Sequence, residues 1–418
     1  MSSTERTRVC VVGGGPAGMV LGLLLARGGI DVVVLEKHGD FLRDFRGDTV
    51  HSSTLTLLDE LGLGEAFARV PHRLVDQLGV ILDSGPVRLG DMRRLPGPHK
   101  HIAFVPQWDF LDLLARAGAE EPCFTLRMRT EATGLVREGG RVAGVRYRTE
   151  EGETGELRAD LVVACDGRSS VLRAAAGLRA REFGVPMDVW WFRLPRHEGN
   201  IAGAGGRFGG GRALVLIDRG EYYQCAFLIR KGTDAALRAR GIESFRQGLA
   251  DLIPWLADRV DHVRSWDDVK LLDVRLDRLP RWHTDGLLCV GDAAHAMSPI
   301  GGVGINLAVQ DAVAAARLLA EPLRRGRVTG RDLAKVQLRR WLPTAVTQTV
   351  QRLIHRGLLD RALSGRISVV NRTRPPRVVR LLQRFPRLQV VPAYLFGVGL
   401  LPEHAPDFAR RTPASAPR

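Results

Sequence analysis

The sequence predicts an α/β fold in which a parallel, nucleotide-type sheet is interleaved with an antiparallel sheet and followed by C-terminal helices. Three observations lead there. The chain opens with an apolar strand, a glycine-rich turn, an apolar helix and a second apolar strand, over residues 8–35. Segments of the same strand–turn–helix style return at 161–173 and 286–319, and between them lie period-two stretches punctuated by Gly and Pro. A strand–helix–strand opening implies parallel strands with a right-handed crossover, whereas period-two runs joined by short charged Gly turns make hairpins. Because the two styles alternate, interleaved domains are expected. Residues 1–74, 106–182 and 276–325 form the nucleotide-type domain, 75–105 and 183–275 the antiparallel-sheet domain, and 326–418 an Arg-rich helical C-terminal region.

Each element has a local reason. Arg8–Val12 is a β-branched strand, Ala17–Arg27 an apolar helix, and Ile30–Leu35 a second buried strand ending on Glu36. Thr54–Leu63 reads as a helix that closes near Gly62, and 75–105 as antiparallel strands. Asp109–Ala119 reads as a helix with Asp109 placed to cap it. Two charged Gly turns divide 124–164 into a meander. Residues 183–280 supply further strands and a helix around Ile242–Leu256. GLLCVGD then leads into a long helix at Gly304–Leu319, Asp332–Leu359 is amphipathic, and Val390–Leu401 is a short apolar run.

Composition sets the outer limits. With 45% hydrophobic and 26% charged residues in a 418-residue chain, disorder and collagen-like repeats are excluded. A formal charge of +15 would suggest nucleic acid, but its location argues against that partner. Residues 324–418 carry a net +16 and residues 1–323 carry −1. A basic tail beside an apolar run suits at most a weak peripheral contact with an anionic membrane face. Val9–Ala26 is uncharged over nearly the length of a membrane span, yet Gly13–Pro16 would break such a helix in its middle. No secretory signal is expected, and five scattered cysteines without a CxxC pair read as reduced thiols of a cytoplasmic protein.

Three motifs carry chemistry. Gly13-Gly14-Gly15-Pro16-Ala17-Gly18 fits G-x-G-x-x-G in its required context, after a strand and opening a helix. The first Gly permits the turn, the second lets the backbone approach a pyrophosphate, and the third packs the helix on the strand. Glu36, at the end of the next strand, can accept from ribose hydroxyls. Gly286–Asp311 supplies an acid, Asp292, at a strand's end, then Pro299 and a glycine turn (301–304) opening a helix. Backbone N–H groups there can face an electron-rich carbonyl edge such as a flavin's. Leu161–Arg173 ends a third strand in Asp166-Gly167, a second direction from which to hold phosphate or ribose.

With all three motifs in this order over residues 8–325, the chain resembles the FAD-dependent aromatic hydroxylases, the para-hydroxybenzoate hydroxylase-like single-component flavoprotein monooxygenases. The resemblance implies a Rossmann-type FAD-binding domain with the substrate sheet packed over the flavin ring. It places Gly13, Gly15, Pro16, Ala17 and Gly18 on the pyrophosphate, and Glu36 with Lys37 at the adenosine ribose. Arg46 and Gln107 fall on the phosphate–ribityl part, Asp166 and Gly167 on the second nucleotide contact, and Asp292 on the ribityl chain. Pro299, Gly302, Gly304, Ile305 and Asn306 fall at the ring. Pro299 beside the ring, with Asp48 and His51 just past Arg46, are the catalytic candidates, and no metal is implied.

The implied reaction uses NAD(P)H to reduce FAD, and O2 to form a flavin C4a-hydroperoxide that hydroxylates an apolar aromatic, quinone or polyketide-like molecule. Related readings are a flavoprotein without oxygen insertion, either a halogenase or a prenyl-chain reductase, or a non-catalytic flavin protein. The halogenase marker W-x-W-x-I-P is only partly met at 190–195, where Phe192 and Leu194 replace the second Trp and the Ile. Aromatics of a substrate-domain strand are the simpler reading of that stretch.

Overall fold

The computed structural model describes residues 4–42, 49–82, 85–197, 204–209, 211–359 and 377–411. The chain opens with strand β1 (Thr4–Val12), helix α1 (Pro16–Arg27) and strand β2 (Val32–Leu35). The uncharged stretch 9–26 is thus strand, turn and helix. Helix α2 (Ser52–Glu60) follows, then a hairpin of β3 (Gln77–Leu82) and β4 (Gly85–Asp91). Helix α3 (Gln107–Ala119) and β5 (Phe124–Arg127) lead into the meander β6 (Thr130–Glu138), β7 (Arg141–Thr149) and β8 (Thr154–Ala164).

The second excursion contains β9 (Met187–Pro195), β10 (Ala204–Gly209), β11 (Arg212–Asp218), β12 (Tyr222–Arg230), α4 (Ile242–Leu252) and β13 (Lys270–Leu272). The chain returns at β14 (Leu287–Cys289) and finishes with α5 (Gly304–Arg324), α6 (Gly330–Ile354) and α7 (Val390–Gly397).

Strands β14, β8, β1, β2 and β5 lie in that order, all parallel, with the β6–β7 meander attached antiparallel to the N-terminal half of β8. Helices α1 and α5 pack together against this sheet, and their Met19, Leu23, Val309, Ala312 and Ala316 are buried in one core. Although the segment Ile300–Arg324 is long and apolar enough to cross a membrane, 83% of its most apolar window is buried inside the protein.

The second sheet has seven strands in the order β13-β9-β12-β11-β10-β3-β4, antiparallel except for the β10–β3 pair. It draws its strands from two separate stretches of chain, so the two domains are interleaved. Period two sorts its side chains. Trp190, Phe192 and Leu194 of β9 face outward under α4, packed on Phe245, Leu249 and Leu252. Met187, Val189 and Trp191 face the other way with Ala213, Val215, Ala226 and Leu228. The Trp190 indole donates to Asp234 at 2.6 Å, an ordinary strand-packing role for the first aromatic of the partial W-x-W pattern.

Two local expectations shift. Helix α3 starts at Gln107 with Pro106 in the capping position, so Asp109 lies in its first turn and is not its cap. Helix α4 ends at Leu252, because Pro254 starts a separate 3₁₀ segment, Pro254–His262.

Candidate active site

The ends of four parallel strands are knit together at one rim of the sheet. Gly13 N donates to Leu35 O (2.8 Å), Cys165 N to Val12 O (2.7 Å) and Val290 N to Ala164 O (3.0 Å). That alignment gathers the three motifs. Gly13 has φ +108°, and a Cβ there would stand 2.3 Å from Cys165 O, so only glycine lets the first turn touch the Asp166 strand. Pro16 opens α1, Gly18 lies against Gly13 O, and a Cβ on Gly291, the residue before Asp292, would stand 3.4 Å from Ala17 Cβ.

The residues fit a dinucleotide here. A Cβ on Gly15 would meet nothing within 4 Å, which leaves its backbone and the N-terminus of α1 open to a phosphate. Asp166 has one buried oxygen, Oδ1, with no partner among the described residues, while Oδ2 accepts from Leu172 N at 3.3 Å. Burial raises its pKa above the ordinary value, an environment that a donor from a bound ligand would relieve. Gly167 is left-handed and open.

Glu36 is buried, and its carboxylate also braces the loop. It accepts from Gly14 N at 2.9 Å and His38 N at 3.1 Å, and pairs with His38 Nδ1 at 2.6 Å. Lys37 is exposed and Gln107 half-buried at the start of α3. Beyond Glu36, a cleft of about 480 Å³ lies between Gly39–Leu42, Trp108, Leu126 and Met128. Arg46 and Asp48 lie outside the described residues.

The other end of the site is a cradle of backbone. Asp292 is partly exposed and meets Arg168 Nη2 at 3.4 Å. Arg173 donates to Ala293 O (3.3 Å) and Arg168 O (2.7 Å), tying the Asp166 and Asp292 segments together. After the half-buried Pro299, Gly302 takes φ +62°, and a Cβ on it would lie 2.6 Å from Thr49 Oγ1. Thr49 Oγ1 donates to Gly302 O at 2.8 Å. Gly304 and Ile305 then open α5. Asn306 is buried with its Oδ1 accepting from Ser53 Oγ (2.9 Å) and Thr54 Oγ1 (2.7 Å), so its side chain joins α5 to α2.

His51 is completely buried, with Nδ1 at 2.5 Å from Phe396 O in α7 and Nε2 unpartnered among the described residues. The carbonyl can only accept, so Nδ1 carries the proton. Burial pushes the imidazole pKa down to about 4, which keeps the ring neutral at ordinary pH.

The inner face of the seven-stranded sheet meets this loop. Ile300, next to Pro299, packs with Trp191, Val215, Phe208 and Leu228. On the same face, Gln224 is buried with Oε1 accepting from Arg219 Nε at 3.0 Å. Trp191 Nε1 and Gln224 Nε2 are both buried donors without a protein acceptor among the described residues. Antiparallel pairing puts Trp191 opposite Ala226 and Arg193 opposite Gln224, so the two donors are diagonal neighbours, about 7–8 Å apart at Cα.

Behind the loop lies a buried charge network. Asp311 accepts from Arg340 Nε (3.0 Å), Gly291 N (3.3 Å) and pairs with His295 Nε2 at 2.5 Å. Burial would raise its pKa, but His295 and Arg340 hold the carboxyl below the usual range. Buried Glu403 collects Arg317 (2.9 Å), Arg339 (2.6 Å) and Arg340 (3.6 Å).

Thr49, Arg168, Arg173, His295, Trp191 and Gln224 were not singled out from sequence in these roles. Part of the basic tail is paired within the protein: buried Arg340 and the partly exposed Arg339, Arg410 and Arg411 pair with acids of the body or its closing segment.

A nucleotide-type parallel sheet with this loop, a second sheet over its rim and a glycine cradle at a helix N-terminus define a flavin-dependent oxidoreductase. The model of the FAD binding domain family matches residues 6–349, and the chain belongs to that family. Its cofactor is FAD, and it is an enzyme of the flavoprotein monooxygenase kind.

Among its relatives, 6-methylpretetramide 4-monooxygenase from Streptomyces rimosus is 38% identical over 389 residues, 92% of this chain and 91% of that protein. Kynurenine 3-monooxygenase from Salinispora tropica is 29% identical over 74% of this chain and 72% of that one. Among solved structures, PqsL of Pseudomonas aeruginosa superposes with a TM-score of 0.72 at 22% identity, over 86% of this chain and 99% of that one. OxyS anhydrotetracycline hydroxylase from Streptomyces rimosus does so at 0.69 and 23%, over 94% and 76%. These two establish the shared fold. These comparisons lend no support to a membrane contact for the tail.

Proposed function

We propose that the chain hydroxylates a polycyclic, oxygen-bearing aromatic molecule of the polyketide kind, with NAD(P)H as reductant and O2 as oxidant. The observation that carries this reading is the likeness, over nine-tenths of both chains, to a monooxygenase named for 6-methylpretetramide. Bound FAD supplies hydride acceptance, O2 activation and oxygen transfer, and the cofactor carries those steps.

The roles proposed for the chain's own residues are binding, orientation and exclusion of water. Backbone N–H groups of Gly304 and Ile305 stabilise negative charge on the ring's pyrimidine edge through the start of α5, and Gly302, whose N–H donates to Pro299 O at 3.0 Å, shapes the turn before them. Gly15 and the N-terminus of α1 hold the pyrophosphate, and Asp292 the ribityl chain. Asp166 accepts from the nucleotide through its unpartnered oxygen. Trp191 and Gln224 donate to two oxygens of a flat substrate, and the apolar residues around them keep water from the reacting carbon. A substrate with carbonyl or phenolate oxygens on neighbouring rings matches two donors on one sheet face, which supports the polycyclic class over a simple phenol.

The test is a screen of FAD-loaded protein with polycyclic aromatic polyketides, quinones and simple phenols, following NAD(P)H oxidation and product mass. The polycyclic compounds should stimulate oxidation most and gain one oxygen. Stimulation by simple phenols alone, or a requirement for halide, would overturn the substrate class or the reaction.

A further inference from the structure

The segment Ser298-Pro299-Ile300 has its backbone held by one helix from the far end of the chain. Gln351 Nε2 donates to Ser298 O and to Ile300 O, both at 2.9 Å, and Gln351 Oε1 accepts from Ser298 N at 3.2 Å. One turn later, His355 Nε2 stands 2.9 Å from Ser298 Oγ, which itself accepts from Ile300 N at 3.4 Å. One turn earlier, Gln348 Nε2 donates to Asp277 O (2.6 Å) and Ala296 O (3.2 Å). Residues 348, 351 and 355 thus form one polar stripe along α6 and the turn that continues it, and all three are buried.

Burying an amide or an imidazole costs free energy unless its hydrogen bonds are met. Here Gln351 meets its own by satisfying three backbone groups of the loop, which would otherwise be buried without partners. His355 begins a π-helical turn, His355–Leu359, a local widening of the helix that is frequent at functional sites. Burial lowers its pKa to about 4 and keeps it neutral. Its Nδ1 has no partner among the described residues, so a proton on Nε2, donated to Ser298 Oγ, avoids a buried Nδ1–H without an acceptor. Both residues lie beyond residue 349, where the family match ends.

We propose that Gln351 and His355 are positioning residues that fix the Pro299 loop at the flavin ring, so that the C-terminal helix sets the ring's local environment and the fate of the oxygen it activates. The inference rests on the ring lying at this loop. Ile300, next to Pro299, packs against the inner sheet face, so a shift of a few tenths of an ångström there changes both the ring's surroundings and its distance from substrate. Oxygen transfer depends steeply on such placement, so its yield per NAD(P)H reads the position of the loop.

The experiment uses full-length, FAD-loaded Gln351→Leu, His355→Leu, His355→Gln and Ser298→Ala. It records the absorption spectrum and midpoint potential of bound FAD, FAD affinity, and product formed per NAD(P)H consumed. In Gln351→Leu and His355→Leu the flavin spectrum and potential should move. Product per NAD(P)H should fall roughly tenfold as peroxide rises, the size expected for losing one or two buried hydrogen bonds. His355→Gln, whose amide can replace the Nε2 donor, should restore both to within about twofold. If Gln351→Leu does not fold, Ser298→Ala decides, because it removes only the hydroxyl that His355 holds. Native spectrum and potential in the leucine variants, or in Ser298→Ala where those do not fold, would overturn the proposal. If no compound is hydroxylated even by the unaltered chain, the functional reading fails separately, and spectrum and potential still judge the clamp.

Discussion

At the proposed nucleotide end of the site, recognition is built from main chain within a short stretch of sequence; at the proposed ring end, the main chain is held in place by side chains from about 50 to 250 residues away. Gly13, Gly15 and Gly18 form their loop from within, and Glu36 braces it from the next strand. The Pro299–Gly302 loop is gripped by Thr49, Gln351 and His355, and its strand is backed by Asp311 and Arg340. The first region tolerates change elsewhere in the chain, whereas the second concentrates buried polar and charged groups whose partners must all be present. From this difference we infer that cofactor capture and control of the ring can be altered separately.

The largest expected effect falls at the ring end. Asp311→Ala leaves Arg340 buried without its carboxylate, and breaking such a pair costs about 3–5 kcal/mol, readable in urea unfolding of the FAD-loaded protein. A loss below about 1 kcal/mol would mean that Glu403 alone satisfies Arg340 and that the network is redundant.

Acid should act at the same end. His51 and His355 have folded pKa values of about 4 against an ordinary 6.5, so the unfolded chain takes up protons first as pH falls. Their neutral burial contributes stability fully above pH 6.5, and it is lost progressively toward pH 4. Between pH 7 and pH 5 the loss is roughly 2 kcal/mol for each imidazole. Replacing either with Gln should flatten that limb of the stability–pH curve, and an unchanged slope would place the acid sensitivity elsewhere.

Asp292→Ala probes the junction between the two ends. FAD retention should weaken by about 1–3 kcal/mol, measured by equilibrium dialysis, with the fold intact. Unchanged affinity would remove Asp292 from the ribityl chain. Gly15→Ala should have the smallest effect on the protein itself, within about 0.5 kcal/mol, because its Cβ would point into open space. FAD affinity should nevertheless fall. Equal FAD binding by this variant would show that the pyrophosphate does not approach Gly15.

The same division explains what could be read from sequence. The G-x-G-x-x-G loop, the Asp166-Gly167 strand end and the Asp292–Gly304 segment each depend on neighbours within a few residues, so their grammar is visible in one dimension. The interleaving of the two sheets was legible for the same reason, since period two and strand–turn–helix segments alternate along the chain. Asp109 was misjudged as a cap because Pro106, three residues earlier, already provides a start for the helix. The uses of Trp191, Gln224, Gln351 and His355 depend on which face of a strand or helix meets the loop, a fact fixed by residues far away. A signal for the last two was present nonetheless: Gln348, Gln351 and His355 repeat at helical spacing in a segment whose charge is otherwise carried by arginine.

The central claim, that this chain transfers one atom of O2 to a polycyclic aromatic substrate, is tested most directly by isotope labelling. FAD-loaded protein, NAD(P)H and a polycyclic aromatic polyketide would be incubated under ¹⁸O2 in ordinary water, and the product's mass and the NAD(P)H consumed would be measured. The account predicts one ¹⁸O atom in each product molecule and one NAD(P)H per hydroxylation. A product carrying oxygen from water, or substrate-stimulated NAD(P)H oxidation with no oxygen in the organic product, would contradict it.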